Sequence, residues 1–213
     1  MGAGSLRLLA VGEVTKKRSG PVVFLFLGHD PACEAFALMP EKMMKMTQFC
    51  NIPLGSEKVK LVEVDAAKKV VGEWAVIPVD SQKHHLAVFT ADLQKAERSW
   101  LKPKMKVLQN DLKSFPEDHL RVVNLSAKKT ALKWSVENTA RAIKPGMVTL
   151  LPLGKGVAHP LDFAFQNEDK KWQLIFRNNF NLGKSKRATA FLYDRKKGGV
   201  GISIIKEFFP PAP

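Results

Sequence analysis

Two stretches about 100 residues apart resemble each other block by block, and this self-similarity constrains the fold more than any other feature. FCNIPLG (Phe49 to Gly55) and VTLLPLG (Val148 to Gly154) share a Pro-Leu-Gly. Upstream, FLFLG (Phe24 to Gly28) falls over VVNLS (Val122 to Ser126), and Phe36 and Leu38 fall over Trp134 and Val136. Downstream, Lys68-Lys69 and Lys170-Lys171 each precede an alternating apolar run that holds Trp74 or Phe176. LAVFT (Leu86 to Thr90) then falls over TAFLY (Thr189 to Tyr193). The offset drifts only slightly across these blocks, which predicts an internal duplication.

Each copy reads as strands. Leu132, Trp134 and Val136 alternate with Ala131, Lys133 and Ser135. Leu161, Phe163 and Phe165 alternate with Asp162, Ala164 and Gln166, and Trp172, Leu174 and Phe176 with Gln173, Ile175 and Arg177. A period of two sends one set of side chains inward and the other toward water. Turn chemistry separates the runs at Lys144-Pro145-Gly146, at Asn167-Glu168-Asp169 and over Asp194 to Gly199. About seven short strands in some 90 residues point to a β-sandwich, with a barrel in each half as the main rival.

The expected fold is therefore all-β: two tandem immunoglobulin-like β-sandwich domains from a duplication, with one or two short helices. The first domain spans 1–112, a linker 113–118, and the second domain 119–213. The linker lies in the polar run Gln109 to Asp118. Ala91 to Lys104 has no β-branched residue and an Asp92 cap candidate, so it is expected to be helical; Glu41 to Cys50 is the second helical candidate. Pro210 to Pro213 cannot continue a strand.

Charge is uneven. The chain has 34 Lys and Arg against 20 Asp and Glu, a net of +14. Residues 1–118 hold 17 basic and 14 acidic residues; residues 119–213 hold 17 and 6, so any polyanion should meet the second half first. No apolar run approaches the roughly 18 residues needed to span a bilayer. The start of the chain lacks the basic and long apolar regions of an intact signal peptide.

Cys33 and Cys50 are the only cysteines. Either they form one disulfide in an oxidising compartment or they are two buried thiols. Met39, Met43, Met46 and Cys50 have the spacing of one helical face, which suits Cu(I) in principle, but packing in the core is the favoured reading. None of the five histidines has metal-ligand spacing, and His84-His85 read as exposed imidazoles at a hairpin tip. No nucleophile or phosphate-loop motif occurs, so neither an enzyme nor a cofactor is expected.

Basic loops remain. If strands run consecutively up and down, alternate loops emerge at opposite ends. One end is then expected to carry Lys128, Lys129, Lys155, Lys184, Lys186 and Arg187, with Phe180 in contact with the partner. The other is expected to carry Arg141, Lys144, Lys170, Lys171, Arg195, Lys196 and Lys197, offset by Glu168, Asp169 and Asp194. These patterns point to a non-enzymatic binding or structural module that presents loops or sheet edges to a protein partner. Export to the periplasm or cell exterior follows from the sandwich reading and the cysteine pair. The alternative is a polyanion-binding protein acting through the basic loops on nucleic acid, anionic polysaccharide or a membrane surface.

Overall fold

Alternating apolar residues build strands throughout the residues described by the computed structural model: 4–12, 24–27, 36–37, 46, 49–64, 69–91, 103–134, 139–154, 156–195 and 197–207. The chain divides into two units, Met1–Ser114 and Phe115–Pro213. In the first unit the strands are β1 (Ser5–Val11), β2 (Phe24–Leu27), β3 (Phe36–Ala37), β4 (Cys50–Asn51), β5 (Lys58–Val64), β6 (Val70–Pro78), β7 (His84–Thr90) and β8 (Lys104–Gln109). The second holds β9 (His119–Asn124), β10 (Thr130–Trp134), β11 (Arg141–Ile143), β12 (Val148–Pro152), β13 (His159–Gln166), β14 (Trp172–Phe180), β15 (Arg187–Asp194) and β16 (Val200–Glu207).

Both units use the same strand order. The first has sheets β4-β1-β7-β8 and β3-β2-β5-β6; the second has β12-β9-β15-β16 and β11-β10-β13-β14. In each, the first and seventh strands pair parallel, β1 with β7 and β9 with β15, and every other pairing is antiparallel. Two sheets share one core in each unit. Leu120, Val122, Ala190 and Leu192 of one sheet pack with Leu132, Trp134, Leu161 and Phe163 of the other. Leu6, Leu8 and Phe89 do the same with Val59, Leu61 and Ile77. Burial of these side chains is the main favourable term in such a fold.

This strand order assigns the similar sequence blocks. Pro-Leu-Gly comes just after β4 and starts on the last residue of β12, Lys69 precedes β6 as Lys170-Lys171 precede β14, and LAVFT and TAFLY lie in β7 and β15. The upstream blocks do not match by position: Phe24–Leu27 form β2, whose counterpart is β10, whereas Val122 lies in β9, the counterpart of β1.

Two further expectations change. No helix occurs among the described residues, and none there is long and apolar enough to cross a membrane. Most of the two segments expected to be helical lies outside the described residues, and their last residues, Lys104 and Cys50, open β8 and β4. Met39, Met43, His29 and the tail Pro210 to Pro213 also lie outside them. Cys50 is buried and disulfide-bonded; Cys33, the only other cysteine in the sequence, is outside the described residues. His84-His85 do not sit at a hairpin tip. The turn before them joins β6 to β7 in the other sheet, and His85 is buried, with Nε2 accepting from the Asp80 amide at 2.9 Å.

The phase of β14 also departs from simple alternation. Phe163 pairs with Phe176 and Ala164 with Leu174, so Ile175 is an extra residue, a β-bulge. Both Ile175 and Phe176 pack against the core, while Trp172 and Leu174 turn to the outside. The first unit repeats the device: Leu61 pairs with Ala75 and Val62 with Glu73, leaving Trp74 extra.

Candidate functional site: the basic loop end of the second unit

Because β9 and β15 run parallel, their C-terminal ends emerge together, carrying loops 125–129 and 195–199. Turns 144–147 and 167–171 join them. Asn124, fully buried at the end of β9, ties the first of these loops to the third: its Nδ2 donates to Lys128 O at 3.0 Å and to Ile143 O at 2.9 Å. Its backbone N–H donates to Met147 O, and its carbonyl accepts from Gly146. Lys144-Pro145-Gly146 is a turn closed by Met147 N–H to Lys144 O at 3.1 Å, with Gly146 at φ 75°, the positive angle that favours glycine.

Asp194 is the second anchor. The Ser126 hydroxyl donates to it, as does the Ala127 amide, so this carboxylate is spent on holding loop 125–129 to the end of β15. On the far side, Gln166 N–H donates to Lys129 O, and turn 167–171 is closed by Asn167 N–H to Lys171 O and Lys171 N–H to Asn167 Oδ1.

The result gathers Lys128, Lys129, Lys144, Lys170, Lys171, Arg195 and Lys197 at one end; all but the half-buried Lys128 are exposed. Apart from Asp194, the acids in these loops are Glu168 and Asp169. An open cleft of about 390 Å³ lies among Lys128, Phe165, Asn167, Glu168, Gln173 and Lys197. Lys128 reaches over the Phe165 ring, 5.6 Å from its centroid, and stands 3.8 Å from Glu168.

Lys128 and Lys129 therefore share an end with residues that the sequence reading put on the opposite one. Lys184 and Lys186, both exposed, precede β15 and so lie at the other end, where Lys186 meets Glu117 at 3.4 Å. The cause is β11. This three-residue strand with one buried side chain, Ile143, splits what reads as a single loop from 137 to 147, and every earlier loop changes ends. Lys155 and Lys196 lie outside the described residues.

Phe180 and Arg187 are not surface residues. Phe180 is 8% exposed and belongs to the core. Arg187, 2% exposed, donates to Glu207 Oε2 at 3.1 Å and to Phe115 O at 2.7 Å. The guanidinium carbons of Arg187 and Arg121 lie 4.5 and 4.1 Å from the centroid of the Phe115 ring. Burial pushes the Arg121 guanidinium down to about 10, against the pull of Glu207, so it stays charged at neutral pH. Arg187 alternates with Thr189 and Phe191 on one buried face of β15, a pattern that its basic neighbours in sequence obscure.

No protein-family model matches this sequence, and no curated protein matches it either.

Proposed function

We propose that this chain is a non-catalytic binding module that holds an anionic macromolecule against the loop end of its second unit. In this reading the two units are duplicated immunoglobulin-like sandwiches, and the protein works outside the cytoplasm. The common strand order and the bulge at matching places support the duplication. The disulfide at Cys50 supports export. One observation carries the functional reading: four basic loops converge at this end, tied together by the hydrogen bonds that Asp194 accepts from Ser126 and Ala127. Such a concentration of one sign of charge attracts a polyanion and raises its association rate.

The test uses the intact protein with labelled duplex DNA, a sulfated polysaccharide and anionic vesicles, at low and near-physiological salt. Combined reversal of Lys144, Lys170, Lys171 and Lys197 to Glu should weaken binding at least about tenfold, whereas reversal of Lys184 and Lys186 changes it less than about twofold. On duplex DNA, log K should fall about 0.9 per neutralised phosphate as log salt rises. Equal effects from both ends, or loss of all binding near physiological salt, would reduce the charge to a solvated coat.

A further inference from the structure

The bulge at Ile175 has a consequence at the same end. Without it, Trp172 would share the phase of Phe176 and point inward; with it, Trp172 stands outside, 48% exposed, directly after the basic turn. Gln166 is its partner on β13, and Gln166 N–H donates to Lys129 O at 2.9 Å, continuing the β10–β13 register by one residue. Lys129, Gln166 and Trp172 thus form one row across three neighbouring strands on the outer face. The row beneath is low on the β10–β13 side: Ala131 pairs with Ala164, and Ala164 with Leu174. The Gln166 side-chain N–H donates to Lys170 O at 3.0 Å, which fixes the amide plane beside the indole.

We infer that Lys129, Gln166 and Trp172 form a subsite for a pyranose ring of an anionic polysaccharide. This rests on the reading of the loop end as an anion site. The indole supplies a rigid apolar face for the C–H side of the sugar ring, and the Gln166 amide meets ring hydroxyls. Lys129 lies two strand spacings from Trp172, about 9.6 Å, a gap that its flexible stem spans to reach a carboxylate or sulfate.

The surroundings favour a sugar over a nucleobase. A single Trp in the row offers no second platform for successive bases. Phe165, the aromatic that lines the cleft, is covered by Lys128 and by Gly199, whose added Cβ would lie 3.5 Å from the ring, and Tyr193 lies against Gly201 in the other sheet. Glu168 and Asp169 repel phosphates packed as closely as those of nucleic acid, yet accept hydrogen bonds from hydroxyls. A polymer that alternates hydroxyl donors with sparser anions suits this mixture.

Binding of the intact protein to polygalacturonate, to inorganic polyphosphate and to duplex DNA separates the possibilities. Trp172→Ala should weaken polygalacturonate binding about tenfold and leave polyphosphate within about twofold; Trp172→Phe should restore most of the loss. An unchanged thermal transition confirms that the variants fold. If Trp172→Ala has no effect on polygalacturonate while the four-lysine reversal abolishes its binding, the sugar subsite is wrong and the anion site stands. If the wild-type protein ignores polygalacturonate, or Trp172→Ala costs affinity for DNA instead, the subsite is likewise overturned. If the lysine reversal changes nothing on any ligand, the loop-end reading fails first.

Discussion

The Ser126 hydroxyl donates a 2.6 Å hydrogen bond to Asp194 Oδ1, joining two residues 68 positions apart at the ends of parallel strands. A charged acceptor makes this one of the stronger bonds at the loop end. Ser126→Ala should cost about 1.5–3 kcal/mol by urea denaturation. Asp194→Asn is more telling. It adds net positive charge to the basic end yet loosens loop 125–129, so weaker anion binding would mean that position matters more than charge count. Tighter binding would mean the opposite.

Asn124 organises the same end from beneath. Asn124→Ala removes the two N–H bonds to Lys128 O and Ile143 O and the Oδ1 acceptor of the buried Ser126 amide, while Ile143 O keeps the Thr130 hydroxyl, for a loss of about 2–4 kcal/mol. Asn124→Asp should be at least as damaging, since it sets a carboxylate against two carbonyl oxygens. A smaller loss for Asp than for Ala in urea midpoints would show that the two donated bonds contribute little.

Glu207 is the buried counter-charge to Arg121 and Arg187, at 3.8 and 3.1 Å. Glu207→Gln leaves two guanidinium groups together out of water and should destabilise by about 3–5 kcal/mol. Pairing this change with Arg121→Met removes one excess charge, so the double variant should recover part of the loss. A double-mutant cycle with no coupling would refute a shared charge cluster.

Tyr193 covers Gly201, its cross-strand partner. A Cβ added at Gly201 would fall 2.7 Å from the tyrosine ring. Gly201→Ala forces the ring aside and should cost about 1–3 kcal/mol. The same substitution combined with Tyr193→Ala should recover part of that cost, which thermal melts of the three variants would show.

Much of the fold was legible because alternation survives where the ladder is regular. Leu161, Phe163 and Phe165 are buried in the phase that the sequence implies, and Leu132 and Trp134 likewise. Lys144-Pro145-Gly146 turns where Pro and Gly require it. Two of the misreadings come from local irregularity: a single residue added to a ladder, and a strand too short to show a period. Ile175 shifts the phase of β14, so Trp172 and Leu174 face outward instead of inward. Arg141–Ile143 is only three residues long, and missing it sent Lys128 and Lys129 to the wrong end. Arg187 reads as one more surface base because its partners Phe115 and Glu207 are distant in sequence.

The paired bulges bear on how the protein behaves at high concentration. β6 and β14 are the last strands of their sheets, nine residues each, and carry exposed Val70, Val71, Trp172 and Leu174. A straight edge of that length and greasiness would template another chain and seed fibres. Trp74 and Ile175 interrupt each edge midway, so an incoming strand can stay in register for only a few residues. The irregularity that turns an indole toward solvent thus also shortens the straight edge on which a strand of another chain could add.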